Sequence, residues 1–292
     1  MNSTLILKNV NKKYEKSNFA IKDISFSVPE GSIVGFIGEN GAGKSTTMNC
    51  ILNVIRRDSG TIEIFGREMT DEDIDIRENI GVVYDSNNFP EYLTARQLAD
   101  ILGRIYSKWD DFCFEQFLRR FGLPESQRIK TYSCGMSMKL AIAVALSHDS
   151  KLLILDEATS GLDPIMRDEI LDVLLEFVKQ ENHSILLSSH ITSDLEKIAD
   201  YIVFIHNGEI ILNKTKDELI YEYGVIRCSE NDFHNILSED ILSSMKKDYQ
   251  IDVLIKNRKL IEKKYKNLIV DSVSLDEIML LLVKGERNAR ID

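Results

Sequence analysis

The spacing of apolar residues changes along the chain, and each change predicts an element. Leu5, Leu7 and Val10 lie in a strand-like stretch that runs to Tyr14, and Ile21, Ile24, Phe26 and Val28 form a second before Pro29-Glu30-Gly31 turns the chain. Ser32 to Ile37 is a short apolar run. Gly38 to Lys44 is a glycine-rich loop, and Met48, Ile51, Leu52 and Ile55 recur at helical spacing behind it. The local order is strand, loop, helix.

Leu98, Ile101, Leu102 and Ile105, then Phe114, Phe117, Leu118 and Phe121, predict two amphipathic helices ended by Gly122-Leu123-Pro124. Strands return at Leu152 to Leu155, Ile185 to Ser188 and Tyr201 to Ile205, with a helix through Ile170, Leu174, Phe177 and Val178 between the first two. Strands alternating with helices predict an α/β core with a parallel sheet. Asn207-Gly208 between two apolar runs is a hairpin turn that closes this core near Leu212.

A boundary is expected near Asp217 to Gly224. Beyond it the pattern predicts a strand at Val225 to Cys228 and a helical segment through Phe233, Ile236, Leu237 and Leu242. Strands at Ile251 to Ile255 and Leu268 to Val270 and a last helix from Ser274 complete it, the helix opened by a Ser274/Glu277 capping box. The expected organisation is therefore residues 1–216 as one unit, with a helical subdomain over about 86–150, and residues 217–292 as a small α+β appendage.

Composition narrows the function. The chain has 292 residues, 43% of them hydrophobic and 28% charged, with few Pro, which is ordinary globular usage and excludes wholesale disorder. A net charge of −11 argues against a broad grip on nucleic-acid phosphate. Cys50, Cys113, Cys134 and Cys228 are scattered, with no Cys-x-x-Cys pair, which favours reduced thiols and no zinc. The N-terminus lacks the form of a secretory signal, and Ile278 to Val283 falls far short of the roughly 20 apolar residues that span a bilayer. A cytoplasmic chain is expected, with any membrane contact supplied by another protein.

Two segments carry chemistry. Gly38-Glu39-Asn40-Gly41-Ala42-Gly43-Lys44-Ser45, followed by Thr46, matches the G-x-x-x-x-G-K-[ST] phosphate loop in its strand-to-helix context. Its glycines let successive N–H groups point at phosphate oxygens, and the helix N-terminus adds a favourable dipole. Lys44 is expected on the β- and γ-phosphates and the Ser45 hydroxyl on Mg²⁺. A chance match over this length is about a one-in-a-hundred event at average residue frequencies. Leu152 to Leu155 then delivers Asp156 and Glu157 to the C-terminal end of a strand, where open parallel sheets bind ligands. Asp156 fits the Mg²⁺ side of the site and Glu157 a general base toward water.

From Leu5 to Leu212 these residues resemble the ATP-binding cassette family. The resemblance implies a P-loop NTPase core with a parallel sheet, an antiparallel N-terminal β subdomain and a helical insert. It places Tyr14 where an aromatic stacks on adenine. Tyr132-Ser133-Cys134-Gly135-Met136 is similar to the family's L-S-G-G-Q signature, with Cys134 and Met136 departing from it; Ser133 and Gly135 would bind the γ-phosphate held by the opposite subunit. Ser160-Gly161-Leu162-Asp163 resembles the D-loop, with Asp163 its acidic residue, and His190 the switch histidine. Asp85 stands where the family usually has glutamine, as a third candidate toward Mg²⁺, and is similar to the residue in drug and lantibiotic exporter ATPases.

The resemblance implies an ATP hydrolase that dimerises head to tail around two Mg·ATP and works a multi-spanning membrane permease, on the inner face of the cell membrane. The loop Asn87-Asn88-Phe89-Pro90-Glu91-Tyr92 is expected to meet that permease through Phe89 and Tyr92. The alternative is a cassette ATPase acting on nucleic acid or the ribosome. DNA-repair relatives carry a long coiled coil that the Lys44 to Asp156 interval has no room for, and ribosome-acting ones carry two cassettes where this chain has one phosphate loop. A dead cassette conflicts with Lys44, Asp156 and Glu157.

Overall fold

The computed structural model describes residues 2–14, 19–70, 72–85 and 89–287. The chain begins with β1 (Ser3–Lys13), β2 (Ala20–Pro29) and β3 (Ile33–Ile37), then the glycine-rich loop, α1 (Lys44–Ile51), β4 (Ser59–Ile64) and β5 (Arg67–Glu68). Strands β2, β1, β4 and β5 pair in that order as an antiparallel sheet. Its second half, β4 and β5, is hard to see in the sequence because its apolar residues are few and its strands short. Helix α1 ends at Ile51 rather than reaching Ile55, its last residue capped by Leu52.

Next come α2 (Ile74–Glu78), β6 (Ile80–Val83), α3 (Ala95–Leu102), α4 (Asp111–Arg120) and α5 (Cys134–Leu146). Helix α3 opens on a Thr94/Gln97 capping box and α4 on an Asp110 side-chain cap. Gly103 caps the end of α3 before Ile105, which is exposed rather than part of the helix. The chain continues through β7 (Leu152–Asp156), α6 (Pro164–Val178), β8 (Ser184–Ser189), α7 (Thr192–Ile198), β9 (Tyr201–His206) and β10 (Glu209–Thr215). These strands build a six-stranded sheet in the order β10, β9, β3, β8, β7, β6. All neighbours run parallel except the β9/β10 hairpin at Asn207-Gly208. Every residue of β3, β7 and β8 is buried, as a parallel sheet covered on both faces requires.

The last segment holds α8 (Lys216–Glu222), β11 (Gly224–Cys228), α9 (Glu230–Phe233), β12 (Ser243–Lys246), β13 (Ile251–Ile255), α10 (Arg258–Lys264), β14 (Val270–Asp271), α11 (Leu275–Lys284) and β15 (Glu286–Arg287). Their strands form an antiparallel sheet in the order β14, β11, β13, β12, β15. The helix expected through Leu242 is not formed. Helix α9 is one turn, a 3₁₀ turn spans Ser238–Asp240, and Leu242 leads into β12, its N–H bonded to the Leu254 carbonyl. Ile236 and Ile241 sit in the core as parts of turns, so apolar spacing alone misread them. The strand expected at Leu268 to Val270 is Val270–Asp271 only.

One core joins this segment to the six-stranded sheet. Leu195 and Ile198 of α7 share it with Val225, Leu254, Ile278, Leu281 and Leu282. Glu196 Oε1 accepts from the N–H of Leu275 at 2.9 Å, so the start of α11 is fastened to α7. The boundary expected at residue 217 falls in the first turn of α8, whose Leu219 is buried in the same core.

His148, 1% exposed, stacks on Tyr106 with ring centroids 4.2 Å apart, and its Nδ1 lies 3.0 Å from the Glu78 carbonyl. Burial pushes its pKa below the ordinary 6.5, and burial acts the same way on His183. The unfolded chain therefore takes up protons near pH ~6.5 that the folded chain refuses, so stability present above that pH is lost as pH falls through it. The urea midpoint is expected to drop between pH 7.5 and 5.5, and His148→Gln to flatten that drop.

Candidate functional site

The loop Gly38 to Gly43 leaves β3 and enters α1 with Gly41 at φ +83° and Gly43 at φ +120°, conformations that L side chains rarely adopt. Gly38 is required for a different reason. A Cβ there would lie 2.6 Å from the Ile205 carbonyl of β9, backbone against backbone. Lys44, 6% exposed, turns back under the loop, its Nζ donating to the Gly38 carbonyl at 2.7 Å and the Glu39 carbonyl at 3.4 Å.

Strand β7 ends beside this loop. Asp156 is buried, and its Oδ1 accepts from the Ser188 hydroxyl at 2.5 Å. Glu157 follows at φ +54°, its side chain 14% exposed. One carboxylate oxygen lies 3.1 Å from Lys44 Nζ and the other 2.5 Å from His190 Nδ1. His190 stands between β8 and α7, its ring about half exposed. Lys44, Glu157 and His190, distant in sequence, are thus joined through one carboxylate.

An open groove of about 460 Å³ lies over this junction. It is lined by Glu39, Asn40, Gly41, Gly43, Lys44, Ser45, Thr46, Asp85 and Glu157, together with Phe19. Ala42 is buried beneath the loop. Phe19 had no motif to mark it; its only signal is a lone aromatic in a polar stretch just before β2. Tyr14 is not part of the lining, and its hydroxyl lies 3.4 Å from Thr46 Oγ1 on α1.

The remaining candidates lie elsewhere. Ser133 caps α5, accepting from the Met136 N–H at 3.2 Å, and stays exposed with Cys134. Gly135 is buried, and a Cβ on it would meet Met166 Sδ of α6 at 2.5 Å. Asp163 caps α6, one oxygen accepting from Ile165 N and Met166 N at 3.0 Å each. Neither Ser133, Gly135 nor Asp163 lines the groove. Asn87 and Asn88 lie outside the described residues. Phe89 is half-buried against the core, while Tyr92 is 71% exposed.

A lysine-bearing phosphate loop facing strand-end carboxylates defines a nucleotide hydrolase of the P-loop class. Comparison with known proteins takes this further. The profile of the ABC transporter family matches residues 21–160. The bacitracin transport ATP-binding protein BcrA of Bacillus licheniformis is 36% identical over 211 residues, covering 72% of this chain and 69% of that protein. The lantibiotic transport ATP-binding protein SrtF of Streptococcus pyogenes is 35% identical over 219 residues, covering 73% and 91%. A solved ATP binding subunit of an ABC transporter superposes with a TM-score of 0.68 at 30% identity, covering 74% of this chain and 92% of that one. The chain belongs to the ATP-binding subunits of ABC transporters, and is an ATPase.

Gly38→Ala drives a methyl into the Ile205 carbonyl, where neither side can yield cheaply. It is expected to cost about 1–3 kcal/mol of stability, as overpacking does, and to weaken binding of a fluorescent ATP analogue, both read by titration.

Proposed function

We propose that this chain binds Mg·ATP in the groove over Lys44 and Glu157, pairs head to tail with a second cassette, and drives a separate membrane-spanning permease that exports its cargo. The observation that carries this reading is the meeting of Lys44, Glu157 and His190 at one carboxylate. The backbone of Gly38 to Gly43 and the start of α1 hold the phosphates, Lys44 neutralises the β- and γ-oxygens, and Thr46 continues the cradle. Tyr14 stacks on the adenine, with Phe19 on the groove wall. Glu157 takes the proton of the attacking water, and His190 orients that carboxylate and contacts the γ-phosphate. Binding ATP therefore requires Lys44 to exchange a carboxylate partner for phosphate oxygens.

Mg²⁺ suits the donors present. Ser45, Asp156 and Asp85 offer oxygen donors only. That fits an ion that takes one or two protein ligands and completes its shell with water and phosphate. Asp156 and Ser45 would hold it, with Asp85, which lines the groove with Ser45, a third oxygen donor, and when bound it would supply charge neutralisation on the phosphates.

Ser133 and Gly135, away from the groove of their own chain, are placed by this reading against the partner cassette's ATP, and Asp163 along the shared interface. Among the described residues no helix is long and apolar enough to cross a membrane, and a peripheral subunit on the cytoplasmic face is part of this proposal. Phe89 and Tyr92 are the proposed permease contact, Tyr92 by its exposure and Phe89 by supporting the loop. Transport of bacitracin and lantibiotics by the relatives supports an exporter, and no nucleic-acid partner is expected.

Tagged Glu157→Gln chain, purified from solubilised native membranes with Mg·ATP, is expected to bring down a multi-spanning protein in stoichiometric amount; ribosomes or DNA without one would overturn the transport reading. Adding Tyr92→Asp is expected to abolish that co-purification while leaving affinity for the ATP analogue unchanged. Full retention of the membrane chain would remove Tyr92 from the contact.

A further inference from the structure

The hydroxyl of Ser188 touches both carboxylate-bearing residues at the end of β7. Ser188 sits on β8 directly across from Asp156 in the parallel register and is 0% exposed. Its Oγ–H donates to Asp156 Oδ1 at 2.5 Å, and the same oxygen accepts the N–H of Glu157 at 3.1 Å. The Glu157 N–H is shared with the Ser188 carbonyl at 3.2 Å. One buried side-chain oxygen thus fixes the side chain of the first residue and the backbone of the second.

This arrangement has a local reason. Glu157 lies at φ +54°, a conformation unfavourable to any residue with a Cβ, and it persists only where neighbours over-determine it. The turn there is what aims the Glu157 side chain back toward Lys44 and His190 instead of along the strand. A Val or Ala at position 188 would keep the strand and the carbonyl bond but lose both side-chain interactions. Burial strengthens the effect, because no water stands by to replace the lost donor to Asp156.

We infer that Ser188 is the positioning residue of the hydrolytic site, holding the Asp156 carboxylate and the Glu157 backbone turn in one register. This rests on Asp156 and Glu157 acting as proposed above. The two ideas fail separately: full turnover by Glu157→Gln would remove that reading whatever Ser188 does.

Ser184 supplies a matched control. It is also 0% exposed on β8, and its hydroxyl meets Thr4 Oγ1 at 2.8 Å and the Gly31 N–H at 3.1 Å, away from the groove. Steady-state phosphate release is measured across ATP concentrations, with analogue binding titrated in the presence and absence of Mg²⁺. Ser188→Ala is expected to lower kcat about 10–100-fold, the usual effect of removing a group that orients a metal ligand, while KM stays within about threefold. Analogue affinity without Mg²⁺ should be unchanged, and the gain on adding Mg²⁺ should shrink. Ser188→Thr, which keeps the hydroxyl, should recover most of kcat, and Ser184→Ala should lower the melting temperature with kcat unchanged. If Ser188→Ala does not fold, Ser188→Cys keeps the volume with a weak donor and should show the same loss. A kcat of Ser188→Ala, or of Ser188→Cys where the alanine variant does not fold, within about twofold of the unsubstituted chain, or an equal loss in Ser184→Ala, would overturn the inference.

Discussion

Everything in this molecule depends on keeping an ammonium and a carboxylate face to face in a nearly dry place. Lys44 and Glu157 are 6% and 14% exposed and 3.1 Å apart, and each is held by backbone as well as by the other. An isolated charge there would be costly, so each group must have a partner at all times. On the proposed reading, an anion that takes Lys44 leaves Glu157 to turn to something else. Strands β3 and β7 both neighbour β8, so the loop after one and the carboxylates after the other open at the same end, where α/β folds bind their ligands.

The same strand order distributes the consequences. Strand β8 carries Ser188 beneath the carboxylates and ends just before His190, and α7 follows at once. Helix α7 is tied to α6 through Asp194, a buried carboxylate 3.8 Å from Arg167, whose guanidinium also donates to the Leu162 carbonyl. On its other side α7 meets α11 through Glu196 and shared apolar packing. A shift of the segment after His190 is therefore felt by the turn before Asp163 and by the C-terminal sheet, because packed cores transmit displacement rather than absorbing it.

How much was legible in the sequence follows from how local each signal is. The phosphate loop and the strand ending in Asp156 and Glu157 are contiguous patterns, and the Ser274/Glu277 box is formed as the spacing predicts. The broken segment from Phe233 to Leu242 was misread because turns can bury apolar residues at helix-like intervals when a sheet lies beneath them. Phe19 and Ser188 were scarcely legible. Phe19 lines the groove beside Gly43 and Ser188 meets Asp156, residues far away in the chain, and an unremarkable aromatic or serine gives little local hint of such neighbours. Gly135 was visible as part of a motif, yet its close approach to Met166 required the packing of α5 on α6.

The role of Glu157 toward the attacking water, in a groove where Lys44 would hold the phosphates, is the step on which the proposed function turns. The most direct measurement is phosphate release at saturating Mg·ATP by the unsubstituted chain and by Glu157→Gln, paired with analogue affinity. The variant is expected to bind nucleotide normally and to release almost no phosphate. Turnover equal to that of the unsubstituted chain, at equal affinity, would contradict it.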